Sequence, residues 1–212
     1  MYRVKSCFRT IQGEGAHVGR VAVFVRMSGC NLWSGRQQDR VRSVCSFCDT
    51  DFVGQDGPQG GLFADAADLV DRIQSVWLKD LKQDSDRFVV FTGGEPLLQL
   101  DEDLIDHCHG AGFQVAVETN GTLPCPSSVD WICVSPKAGA LLVQRSGHEL
   151  KVVYPQPGLD LSYLATLAFD LFSLLPLDNE HRQANTAACI EYCLANPKWR
   201  LRVQTHKWLG ID

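Results

Sequence analysis

Apolar residues recur along the chain in two periods, and their order lays out the elements. Tyr2–Thr10 alternates in part and predicts a strand, and Arg20–Met27, with Val21, Val23, Phe24 and Val25, predicts a second. Asn31–Gly61 shows no such period. It is polar and rich in Gly, Asp and Gln, so it reads as a long loop, and loops of that length inside a compact domain are usually functional. Asp65 stands where a helix N-cap belongs, and Leu69, Val70, Ile73, Trp77 and Leu81 follow at helical spacing. Arg87–Thr92 is a buried strand by composition, and Leu104, Ile105 and Cys108 mark a short helix stopped by Gly110 and Gly112. Gln114–Thr119, Trp131–Ser135, Glu149–Tyr154 and Phe169–Leu175 read as further strands. Arg182–Leu194 reads as a helix ended by Asn196-Pro197, and Arg200–Thr205 as the closing strand.

Strands alternating with helices indicate an α/β fold with a mostly parallel sheet. Only about three helices are convincing, fewer than a full eightfold barrel requires, so the pattern predicts a partial, abridged (β/α) barrel. Ligands in such sheets sit at the carboxyl ends of the strands. Polar signatures fall there repeatedly: Thr92-Gly93-Gly94-Glu95, Glu118-Thr119-Asn120-Gly121, Ser135-Pro136-Lys137 and Gln204-Thr205-His206. Several strands delivering polar groups to one rim describe a site.

Length and charge narrow the class. The 212 residues suit a single domain over 1–212, with the loop at 30–61 as its insertion. A formal charge of -5 argues against a nucleic-acid surface. No apolar run is long enough to span a bilayer, and Met1–Ser6 lacks the apolar core of a signal peptide. The expectation is a cytoplasmic protein with neither nucleic acid nor membrane as partner. Nine cysteines, an odd number in a chain too large to need disulfide staples, point to burial, metal binding or catalysis.

Three of these cysteines share the long loop. Cys45-Ser46-Phe47-Cys48 is a C-x2-C hook, and Cys30 precedes it by fourteen intervening residues. Thiolates are soft ligands that select zinc or iron–sulfur clusters. Zinc wants four closed ligands, and no fourth Cys or His lies in Asn31–Gly61, though His17 or Cys7 could supply one from a distance. Both metals stay open on spacing alone. Three cysteines on a four-iron cluster would leave one iron free to take a substrate.

With these motifs the chain resembles the 7-carboxy-7-deazaguanine synthase family of radical S-adenosylmethionine (SAM) enzymes. The resemblance rests on Thr10-Ile11-Gln12-Gly13-Glu14-Gly15, Asn31-Leu32-Trp33-Ser34-Gly35-Arg36, Cys48-Asp49-Thr50-Asp51-Phe52 and Gln204-Thr205-His206-Lys207, and covers essentially the whole chain. The usual radical SAM triad is C-x3-C-x2-C; the long first gap here occurs in some members of this family. The resemblance implies a 4Fe-4S cluster on Cys30, Cys45 and Cys48, SAM on its open iron, and Mg2+ near Thr50. It implies conversion of 6-carboxy-5,6,7,8-tetrahydropterin to 7-carboxy-7-deazaguanine with loss of ammonia, a reductase such as flavodoxin or ferredoxin as electron donor, and a homodimer. The rival readings are another radical SAM enzyme, such as a glycyl-radical activase, and a non-enzymatic zinc-binding module.

The same resemblance assigns residues. Phe47, Cys48 and Asp49 would line the SAM adenosine region, Gly94 its methionine end, and Ser135, Pro136 and Lys137 a further SAM loop. Read without it, Ser135-Pro136 is a plain strand-ending turn and Lys137 a solvated lysine. Pro176 and Asp178 would belong to a second SAM loop, where Leu175 stands in place of the family's frequent Gln. Ile11, Gln12, Gly13, Glu14, Arg26, Thr92 and His206 would meet the substrate. Arg26 follows an apolar strand, and its fork suits a carboxylate; the alternative is a buried ion pair. Glu14 is either an acceptor for pterin N–H groups or a solvent-facing charge, and His206 either a site residue or a core histidine. The α-carboxylate of Asp212 would accept N–H donors from the pterin, where a frayed terminus is the alternative. Cys7, Cys108, Cys125, Cys133, Cys189 and Cys193 read as core or incidental.

Overall fold

A computed structural model describes residues 1–211. Its strands are β1 (Tyr2–Ile11), β2 (Val21–Met27), β3 (Gly61–Phe63), β4 (Phe88–Gly93), β5 (Gln114–Thr119), β6 (Trp131–Val134), β7 (Ser146–Tyr154), β8 (Ala168–Pro176) and β9 (Trp199–Leu201). Its helices are α1 (Ala66–Leu78), α2 (Glu102–Gly110), α3 (Leu161–Leu164), α4 (Arg182–Ala195) and α5 (Thr205–Leu209). The strands form one open sheet in the order β3-β1-β2-β4-β5-β6-β7-β8-β9. From β2 through β9 every pairing is parallel, and β1 joins β2 and β3 antiparallel. The expected abridged α/β barrel is therefore present, its sheet left unclosed.

The parallel strands are apolar on the outer face, which the helices cover, while the inner face mixes apolar and polar side chains and turns polar toward the carboxyl ends. Val23, Val25, Val89, Phe91, Val115 and Val117 point outward, onto Leu69, Ile73 and Trp77 of α1 and Leu104, Ile105 and Cys108 of α2. Full burial of each large side chain contributes roughly 1.5–3 kcal/mol. Asp65 caps α1 by accepting the Asp68 N–H at 3.0 Å, and Asp101 caps α2 by accepting that of Leu104 at 3.0 Å. A second outward cluster joins Leu150, Val152, Phe172 and Leu174 to α3, to Cys189 of α4 and to Trp199. Inside, Ala22, Phe88, Val90 and Ala116 plug one end of the barrel. Two residues further along each strand, at the carboxyl end, the same inward parity brings Phe24, Thr92 and Glu118, then Arg26.

Three expectations change. The first helix stops at Leu78, and Leu81 packs on the core from the turn beyond it. The long loop carries a 3-10 turn over Gln37–Arg42. The closing strand is Trp199–Leu201 only; the chain leaves the sheet and winds into α5, so Thr205 and His206 are helical. The alternation of Leu201 and Val203 imitates a longer strand, but β9 has β8 alone to pair with, and the last pairing is Leu174 with Leu201. No described helix is long and apolar enough to cross a membrane.

Candidate active site

A cavity of about 380 Å³ opens at the carboxyl ends of the strands. Its wall brings together Ile11, Gln12, Gly13, Glu14, Arg26, Cys30, Cys45, Phe47, Cys48, Asp49, Thr50, Thr92, Gly94, Ser135, Lys137, Pro176, Asp178 and His206. Of the residues singled out from sequence, Pro136 is buried and does not reach the wall, and Asp212 lies outside the described residues.

The cysteine loop is held by packing. Trp33 meets Phe52 edge-on at 5.6 Å, and the Arg40 guanidinium covers the Trp33 ring at 4.1 Å. Arg40 donates to the carbonyls of Ser46 and Cys48 at 2.8 and 2.9 Å, fixing the hook that carries two of the three thiols. Lys5, on β1, anchors the far side through the Val53 carbonyl at 2.9 Å and through Asp51 and Asp56. A hydrogen bond between the thiols of Cys45 and Cys48 lowers the pKa of Cys48 to about 6 and raises that of Cys45. Cys30 is pushed up by burial, although the Leu32 N–H approaches its sulfur at 3.5 Å. Among the described residues no group of three or more His, Cys, Asp or Glu side chains is arranged for a single metal ion.

The next wall is the turn after β4. A Cβ on Gly94 would fall 1.9 Å from the Gly29 carbonyl oxygen, so only glycine lets this turn pass beside the segment leading to Cys30. Glu95 is buried and turned inward, accepting from Thr119 Oγ1 at 2.7 Å and the N–H groups of Asn120 at 2.8 Å and Leu97 at 3.0 Å. Burial raises its pKa nonetheless. Asn120 also reaches Asn31 at 3.0 Å, which links the cluster loop to the end of β5. Lys137 is half-buried rather than solvated; it donates to the carbonyl and hydroxyl of Ser135, both at 2.6 Å, and burial lowers its pKa.

The opposite wall is built for a different partner. Arg26 stands beside Thr92 across the β2–β4 register, and its buried Nε has no hydrogen-bond partner among the described residues. Among the described residues this guanidinium makes no ion pair, and it lies 5.5 Å over the Phe8 ring. Glu14 is no solvent-facing charge either. Lys151 lies 3.0 Å from one of its oxygens, and Gln204 donates to the other at 2.7 Å. Burial works against its ionisation, but Lys151 and these hydrogen bonds bring its pKa down to about 2. Lys151 also grips Glu118, which accepts from Gln12 at 3.2 Å and whose pKa burial raises. Thr205 donates to the Gly13 carbonyl through both its N–H and its hydroxyl at 2.9 Å, and His206 lies directly over Gly13. His206 thus faces the cavity instead of the core. Lys207 joins Asp49 at 2.8 Å and Asp178 at 2.7 Å, strapping α5 across the mouth.

Sequence reasoning assigned no role to Lys151 and placed Glu118 only among the polar residues at the strand ends. The signal for each is a charged residue at inward parity, with Glu149 on β7 and with Ala116 on β5 respectively.

No protein-family model matches the chain. Over 99% of both sequences it is 57% identical to a protein of Bordetella pertussis named 7-carboxy-7-deazaguanine synthase. Proteins of the same name from Nitratidesulfovibrio vulgaris and Bacteroides thetaiotaomicron are 52% and 39% identical, again over nearly complete lengths. A crystal structure of QueE from Escherichia coli superposes with a TM-score of 0.70 at 27% identity, over 96% of this chain and 93% of that one.

Proposed function

This chain belongs to the 7-carboxy-7-deazaguanine synthase family, and from that premise we propose which walls of the cavity serve cofactor, substrate and cation. The enzyme is a radical SAM synthase of queuosine-type 7-deazapurine formation, with a 4Fe-4S cluster and SAM as cofactors. It turns 6-carboxy-5,6,7,8-tetrahydropterin into 7-carboxy-7-deazaguanine with loss of ammonia.

Cys30, Cys45 and Cys48 would hold the cluster. Three soft thiols on one wall suit an iron–sulfur cluster. The amino-acid end of SAM would lie beside these three thiols, next to Gly94 on the same wall. When bound, cluster and SAM supply one-electron chemistry and hydrogen-atom abstraction, which no side chain here provides. The chain's own residues bind and orient. The backbone of Gly94 receives the SAM amino group, and Lys137 and Ser135 offer an ammonium and a hydroxyl to its carboxylate and ribose. Phe47 and Asp49 would flank the adenosine, and the Pro176–Asp178 turn would close the far side through backbone groups, since the Leu175 side chain carries no amide.

Arg26 takes the substrate carboxylate by two parallel hydrogen bonds, with Thr92 beside it. Ile11, Gln12, Gly13, Glu14 and His206 receive the ring, and the terminal carboxylate of Asp212 is assigned to its N–H edge. Thr50 would offer a neutral oxygen to Mg2+, a hard cation that the substrate carboxylate could also serve. Phe8, Phe24, Leu32 and Trp33 form apolar wall that keeps bulk water from the reaction. A flavodoxin- or ferredoxin-type donor, a homodimer, a single domain and a reducing cytoplasmic setting complete the proposal.

The observation that carries this reading is the meeting of three cysteines from one loop with an arginine across the same cavity whose buried Nε has no hydrogen-bond partner among the described residues. Anaerobic purification tests it. Brown protein with iron, which cleaves SAM with a strong reductant and consumes the carboxytetrahydropterin, is the expected result. Colourless protein carrying zinc, or iron-loaded protein inert toward the pterin, overturns it.

A further inference from the structure

We infer that Lys151 is the positioning residue that sets the charge of the substrate site: it holds Glu14 and Glu118 together as one singly negative unit that receives the N–H edge of the pterin. The inference deepens the assignment of this cavity to a pterin and rests on it.

Three elements converge to build the unit. Glu14 follows β1, Glu118 is the next-to-last residue of β5, and Lys151 points inward from the middle of β7. The Lys151 side chain is 6% exposed, and those of both carboxylates are 20% exposed. An ammonium so far from water sheds its proton unless anions hold it. Two carboxylates do so here, 3.0 Å away in the case of Glu14, and they keep Lys151 charged. One ammonium against two carboxylates leaves a single negative charge on this wall. Each carboxylate has one further support, Gln204 for Glu14 and Gln12 for Glu118, and both supports are donors. Carboxylate oxygens accept at more than one position, so the unit keeps acceptor capacity toward the cavity.

The rest of the surroundings make Lys151 the deciding charge. Glu149, behind it on the same strand, is already occupied by Ser173 and the Ala16 N–H. Cys133 is held as a neutral thiol chiefly by burial. Lys137 lies toward the cysteines, and His206 overlies the Glu14 loop. Arg26 sits in the same cavity with its Nε unpartnered among the described residues. The cavity thus offers a cationic fork and an anionic pair. That suits a heterocycle with a carboxylate at one end and a row of N–H donors at the other.

Without Lys151 two carboxylates at hydrogen-bonding range of one point cannot both stay ionised, and one takes a proton. A protonated carboxyl presents a donor to a donor. The ligand then binds better as pH rises and that proton leaves.

The test uses full-length, cluster-reconstituted protein with SAM and without reductant, titrated with 6-carboxy-5,6,7,8-tetrahydropterin across about pH 6 to 8. Lys151→Arg is expected to bind with the parent's affinity and the parent's pH dependence. Lys151→Met is expected to bind about tenfold more weakly than the parent at the acid end and to approach it as pH rises. Should that variant not fold, Lys151→Met with Glu118→Gln removes the like-charge conflict and restores a single negative charge; its binding is expected to regain the parent's pH dependence. Binding by Lys151→Met within about twofold of the parent at every pH, or a double variant that still weakens toward acid relative to the parent, overturns the inference. A parent that does not bind the pterin overturns the assignment of the cavity instead.

Discussion

Gly13 has no space for a side chain: a Cβ there would stand 2.3 Å from the His206 ring. The glycine lets His206 close over the loop between β1 and β2, so Gly13→Ala should push the ring away and loosen the substrate wall. A fall in kcat/KM of about tenfold or more, carried mostly by KM, is the expected outcome in steady-state kinetics. Arg26→Lys should do comparable damage for another reason. It keeps the charge and loses the planar fork, and the expected rise in KM for the carboxylated substrate is again about tenfold or more. Much of the site was legible at this scale. The C-x2-C hook, the Gly93-Gly94-Glu95 turn and the lone arginine on an apolar strand each announce chemistry within a few residues. Lys151 was not legible, because a lysine in a strand ordinarily reads as an edge or surface residue, and Glu118 was read only as part of the polar rim. Only the shared inward parity of β5 and β7 turns these charges toward each other, and sheet order is not written in local spacing.

Among the elements, the cysteine loop most needs explaining, since it is long and mostly polar. Its order rests on Trp33 against Phe52, Arg40 over Trp33 and the Lys5 anchor. Trp33→Ala should therefore unsettle the loop without unfolding the sheet. Anaerobically reconstituted protein is expected to hold less iron, measured as iron per chain, while its far-UV circular dichroism stays unchanged. Asp65→Ala is the contrasting case. It removes the N-cap of α1, far from the cavity, and should cost about 1 kcal/mol in urea unfolding with iron content intact. The longer elements could be read from sequence because buried parallel strands are apolar runs and α1 has a clear helical stripe. The three residues of β3 and the four of α3 are too short to make a period. The end of the chain was misread because Leu201 and Val203 alternate, whereas tertiary packing bends the segment into α5 and brings His206 to the cavity.

For the molecule as a whole, acid should weaken the fold partly through Glu14. Its carboxyl is held near 2 against an ordinary value of 4.5. Stability from a depressed carboxylate is complete above the unfolded value and is lost as pH falls toward the folded one. Glu14→Gln should flatten that part of the decline, seen as urea midpoints that change less between about pH 4.5 and 2. Glu118, with its pKa raised, works in the opposite sense and limits the effect. Finally, Lys207 ties the last helix to Asp49 on the cysteine loop and to Asp178 beyond β8, at 2.8 and 2.7 Å. One ammonium thus staples three separate stretches of chain over one doorway. Cutting that clasp with Lys207→Ala should loosen the doorway and let the cofactor be spent idly, read as deoxyadenosine made in excess of product.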